Sequence, residues 1–258
     1  MNKNESTDSI KDTLQSADHI AGLLPKLGGL VAGLTALALF FGWKEASTYY
    51  SELGASWVIG MLSPSKLIQF SAGQISAIGV FALLSIYLIT QNAVTEKSLR
   101  RWSLIILAPA LLLLIGGFLP SNWFNFSSTT IFFCLTGAAF LMSIAAGVTI
   151  GELIAGLSNK KMVWSQYHFF LVHWVIAYGL FQSADINARA TAEFNGNLNN
   201  SKLPIVSLVA PISGKEWRLI TNIDSSFLVV SLAQTKEERI FRILSASEIS
   251  GIKSARTK

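Results

Sequence analysis

The chain carries five apolar runs at or near the length needed to cross a bilayer, whose hydrocarbon core of about 30 Å takes roughly 20 helical residues. They cover residues 27–43, 67–90, 102–119, 130–157 and 163–183. Composition agrees, because 51% of the residues are hydrophobic and 14% charged, against about 25% charged in an ordinary soluble domain. That balance excludes a disordered chain, and a single cysteine, Cys134, excludes a disulfide scaffold. The formal net charge of +5 comes from basic residues scattered among acids, so a bilayer orientation explains it better than a nucleic-acid partner.

The sequence therefore predicts an α-helical polytopic membrane protein of about five transmembrane helices with a small C-terminal β-rich domain. Residues 1–26 form a polar N-terminal segment with a loose helical pattern from Asp8 to Leu24, 27–183 the helical domain, and 184–258 the extramembrane domain. The first run, LGGLVAGLTALALFFGW, follows polar sequence without a short apolar core or small-residue cleavage site and reads as an uncleaved anchor. Pro109 falls within the third run, where neighbouring helices can satisfy the freed carbonyl. The fifth run is the most polar, with Gln166, His168, His173 and Gln182.

Basic residues near span ends favour the cytoplasm. With the N-terminus inside, Lys3, Lys11, Lys26, Lys97, Arg100, Arg101, Lys160 and Lys161 fall inside, against Lys44, Lys66, Arg189 and Lys202 outside. Five spans then place the C-terminal domain outside, in the periplasm of a bacterial inner membrane; if 163–183 only lies in the interface, the side reverses. The connection from Lys44 to Lys66 carries Tyr49, Tyr50 and Trp57 and is expected as a short interfacial helix ended by Pro64, with a re-entrant loop as the alternative.

Beyond Ala184 come a polar stretch and then five runs of strand length, LPIVSLVA, EWRLITN, SFLVVSLA, ERIFRILS and SEISGIKS, divided by turn residues. They predict an antiparallel meander curling into a small barrel around Phe227, Val229, Phe241 and Ile243. So few residues make a marginal core, which is expected to lean on the membrane domain or on another copy.

Ionisable residues inside a span are functional candidates because hydrocarbon penalises them unless they are paired. Glu152 lies eight residues before Lys160 and His168 eight after it, about 12 Å from the turn on each side, so a hairpin could pair them for proton relay or pH sensing. The bland alternative is that Glu152 ties the hairpin or reaches the inner surface. His173 lies deeper and shares a face with Gln166 but not with His168; a bond to a neighbouring helix is the plain explanation, a polar track the sharper one. Gly29-x-x-x-Gly33 and Gly147-x-x-x-Gly151 mark helix packing, within the chain or with another subunit.

No zinc spacing, phosphate loop or nucleophile elbow occurs, and three histidines are too few for an ordinary metal site. No catalytic residue, metal or cofactor is expected. The function anticipated is that of a non-enzymatic membrane subunit in the lipid bilayer. It associates with other membrane proteins or with itself and uses the C-terminal domain for docking or sensing. The alternative is a small transporter or channel built on Glu152 and His168, with His173 and Gln166 extending the pathway.

Overall fold

The computed structural model describes residues 32–118, 127–158, 167–198, 201–210 and 215–255, with side chains described in these ranges except at 128 and 155–180. The N-terminal segment, Gly29 and Gln166 lie outside the described residues. Helix α1 occupies 32–53 and is followed by a 3₁₀ turn at Ser56–Met61. Then come α2 (Pro64–Thr90), α3 (Glu96–Phe118), α4 (Ser128–Ser158) and α5 (Tyr167–Gly196). Five strands close the chain: β1 (Ile205–Leu208), β2 (Trp217–Ile223), β3 (Ser226–Ser231), β4 (Ile240–Ser245) and β5 (Ile249–Lys253).

Three helical stretches, α2, α3 and Thr129–Ile154 of α4, are long and apolar enough to cross a membrane. Their large apolar side chains point outwards: Leu83, Ile105, Leu112 and Phe133 are 63–70% exposed. A soluble bundle would bury these groups, whereas a lipid environment solvates them. Helix α3 continues through Pro109 without interruption.

Between helices the contacts are made by small residues, because lipid offers no hydrophobic drive to bring two apolar surfaces together. A Cβ built on Gly147 would lie 2.6 Å from the Ile78 carbonyl oxygen, and one on Gly151 2.7 Å from that of Ala82. The four-residue step is matched on both helices, so α2 and α4 run parallel at backbone contact. Gly42 brings α1 against α2 still more closely: a Cβ built on it would overlap the Leu67 carbonyl. The Ser71 hydroxyl crosses the same seam to the Ala38 carbonyl at 2.7 Å. Gly33, by contrast, has nothing within 4 Å of its virtual Cβ.

Two helices outrun their apolar sequence. Helix α1 was expected to end near Trp43 but continues to residue 53, where Gly54 adopts φ 90°. The Gly54 amide then bonds the Ser51 carbonyl at 3.1 Å and the Ala55 amide that of Tyr50 at 2.7 Å, satisfying carbonyls that a helix end leaves open. Pro64 does not end an interfacial helix; it starts α2, where its missing N–H costs nothing. Helix α5 likewise continues past Ser183 through the polar stretch expected to open the tail. Two stripes at four-residue spacing hold it: Ile186, Ala190 and Phe194 face α4, while Ala188 and Ala192 face the sheet.

The five strands form one antiparallel sheet in the order β4-β3-β2-β1-β5. Strands β1 to β4 make the expected meander, with Asp224 at φ 48° in the two-residue turn between β2 and β3. Strand β5 returns to the free side of β1. Among the described residues β4 and β5 are both edges, so the sheet does not close as a barrel. The expected core also changes. The register pairs Leu228 with Ile243 and Val229 with Arg242, so Phe227 and Val229 lie on the opposite face from Phe241 and Ile243. Val229 packs with Val206, Trp217 and Leu244, whereas Leu228, with Phe241 partly buried beside it, packs against Tyr50, Leu53, Ala188 and Ala192. Ile243 remains 42% exposed. Both faces are covered because the second sits on the protruding ends of α1 and α5.

Candidate functional site

Where α1 and α5 leave their apolar runs, each carries charged or polar side chains that face the other. Lys44 and Glu45 follow Trp43 directly on α1; Asp185 and Asn187 stand just beyond the end of the fifth run on α5. The Lys44 ammonium contacts Asp185 Oδ2 at 2.7 Å and lies 3.3 Å from the centre of the Phe181 ring. Thr48 donates to Asp185 Oδ1 at 2.6 Å. Asp185 therefore has a cation on one oxygen and a hydroxyl on the other, which compensates its removal from water.

Glu45 is treated differently. It is 5% exposed, and Asn187 Nδ2 donates to its Oε1, but its Oε2 is buried with no hydrogen-bond partner among the described residues. Burial pushes the Glu45 carboxyl up from its ordinary value to about 7, and the Asn187 amide only partly opposes the shift.

Further along, the ends of α1 and α5 meet the sheet. Arg239, just ahead of β4, donates from Nη1 to the Leu53 carbonyl at 3.1 Å and from Nη2 to the Gly196 carbonyl at 3.1 Å. These are the terminal residues of the two helices, so one guanidinium caps both and meets the negative ends of both dipoles. Lys236 pairs with Glu52, and Arg189 approaches the same carboxylate at 4.0 Å. On the α2 side Lys66 donates to Asn222 at 2.6 Å. Glu52, Arg189, Glu193, Lys236 and Arg239 line a polar cleft of about 640 Å³ at this junction. Of its cations, Lys236 is committed to Glu52 and Arg239 to the helix carbonyls, while Arg189 only approaches Glu52.

The residues singled out in the sequence are distributed as follows. Glu152 is 3% exposed and accepts from Arg100 Nε at 3.0 Å and Nη2 at 2.7 Å, a fork that joins the start of α3 to α4. One helical turn deeper, the Ser103 and Thr149 hydroxyls meet at 3.0 Å. His168 and His173 lie on α5, but their side chains fall outside the described residues, so the pairing of Glu152 with His168 has no geometry here. Gly147 and Gly151 meet α2 of the same chain. Among the described residues no group of three His, Cys, Asp or Glu side chains could hold a metal ion.

Sequence reasoning did not single out Glu45, Asp185, Asn187 or Arg239, and counted Lys44 only as an outer-loop charge. One signal was present: charged residues abut the ends of the first and fifth apolar runs, at Lys44-Glu45 and Asp185, where two helices emerging side by side would have to pair them. No known protein family, characterised protein or solved structure matches the chain.

Proposed function

We propose that the protein is a five-span subunit of a bacterial inner-membrane assembly that holds a small β-sheet platform against the outer membrane surface for docking a partner or sensing its surroundings. The observation that carries this reading is the seating of the sheet. One face packs against the ends of α1 and α5, Arg239 fastens it to both, and two edge strands remain unpaired among the described residues. An edge strand offers a row of backbone donors and acceptors, and proteins ordinarily protect such a row or use it for strand addition. Here β4 and β5 also present Ile240, Ile243 and Ile252 at 37–47% exposure. A platform fixed to the bundle would transmit the position of a docked partner to the helices.

Photo-crosslinkable side chains placed at Ile240 and Ile252, in intact membranes, test this. A discrete adduct from either edge with a second protein is the expected result. Absence of adducts from both edges, or adducts with lipid alone, overturns it.

A further inference from the structure

Among the buried charged groups of the bundle, Glu45 differs in the partner it has been given. Asp185 has Lys44 and Thr48, and Glu152 has Arg100. Glu45 has a neutral amide on one oxygen and no partner among the described residues on the other. It sits between the two helices that bear the sheet, whose ends are joined by Arg239.

We propose that Glu45 is a proton-binding site whose state of protonation sets how tightly α1 and α5 close, and through them how firmly the outer sheet is seated. When Glu45 is protonated the seam contains a neutral acid beside an amide. When the proton leaves to water, a carboxylate remains in a site that gives it one hydrogen bond, and solvent must enter or the helices must part. The surrounding charged groups are committed elsewhere. On α1, Lys44 is held by Asp185, and Glu52 by Lys236 with Arg189 near it. On α5, Asp185 is neutralised by Lys44 and Arg189 leans towards Glu52. From α2, Lys66 is turned to Asn222, and from the sheet, Arg239 is turned to the two helix-end carbonyls. Tyr49, on α1, accepts from Asn195 at 3.2 Å. No cation among these is bonded to Glu45, and burial, opposed only in part by the Asn187 amide, displaces its carboxyl upward. The site stands whether or not the sheet docks a partner.

Backbone hydrogen exchange of the full chain in lipid nanodiscs, corrected for the intrinsic pH dependence of exchange, tests the proposal. Amides of 44–53 and 183–196 should lose about tenfold or more of their protection as pH rises from mildly acidic to mildly alkaline. Glu45→Gln, which keeps the shape and removes the charge, should hold protection constant over that range. Asn187→Leu, which removes the bond favouring the carboxylate, should move the transition to higher pH. A wild-type chain whose protection does not change with pH overturns the proposal. So does a Glu45→Gln chain that keeps the transition, or an Asn187→Leu chain whose transition stays in place or moves down. If Glu45→Gln does not fold, the direction of the Asn187→Leu shift decides.

Discussion

At the scale of single residues, the seam between α1, α5 and the sheet depends on groups whose partners are far away in sequence. Arg239→Met keeps the aliphatic stem and removes both caps. Hydrogen bonds from a charged donor are worth roughly 1.5–3 kcal/mol each when buried. Since Arg239 is half-buried, a loss of about 2 kcal/mol is expected, visible as a lower unfolding midpoint and as faster proteolysis near Lys236. Glu45 gives a pH dependence with a definite sign. Its carboxyl rises from an ordinary 4.5 to about 7 in the folded chain, so the folded state binds more protons between those values and stability falls as pH rises through that window. The full effect, at most about 3 kcal/mol at 1.36 kcal/mol per unit, is present above pH 7 and absent below 4.5. Denaturation midpoints of Glu45→Gln should show no such slope and should exceed wild type at alkaline pH. None of this was legible from one residue at a time: Lys44 and Asp185 are 141 positions apart, and only the parallel course of two helices makes them neighbours.

At the scale of elements, the sequence showed spacing and the structure supplies what each spacing meets. Both Gly-x-x-x-Gly motifs read alike, yet Gly147 and Gly151 touch the α2 backbone whereas Gly33 faces open space, and Gly42, in no motif, makes the closest approach. Alanine substitutions should therefore rank by contact. Gly42→Ala is expected to cost about 3 kcal/mol, Gly147→Ala and Gly151→Ala about 1–3 kcal/mol as packing strain, and Gly33→Ala less than about 0.5 kcal/mol. Retention of the folded species during heating in detergent would give the order. A Gly33 variant as damaging as Gly42 would refute the reading from contacts. The strands were legible because each is short, apolar and bounded by turn residues. The faces were not, because a shift of one residue in register exchanges them, and the sequence does not show that both are covered. Leu228 and Val229 are both fully buried, so each alanine variant should cost about 2–4 kcal/mol. Only Leu228→Ala should also loosen the ends of α1 and α5, read as increased exchange at residues 44–53.

At the scale of the whole molecule, the packing puts the sheet at one end of α2, so the proposed side of the sheet can be argued from α2 without the fifth run. Lys66, at the start of α2, bonds Asn222 of the sheet, so the sheet lies at the α2 N-terminal end. The turn between α2 and α3 lies at the other end, where Arg100 meets Glu152. That end carries Lys97, Arg100 and Arg101, the strongest basic cluster beside any of the three helices long and apolar enough to span, and such clusters favour the cytoplasm. If α2 crosses the bilayer once with this cluster inside, the proposed orientation puts the sheet outside whether or not 163–183 crosses fully. A reporter fused after Lys258 and active only outside the cytoplasm should therefore be active. It should remain active, at reduced level, when Lys97→Gln and Arg101→Gln weaken the cluster, because Arg100 is tied to Glu152 and keeps its charge in place. Activity of a cytoplasm-only reporter at the same position would mean that α2 inserts in the opposite direction, against its flanking charge, and would place both the Glu45 seam and the open sheet edges on the cytoplasmic side.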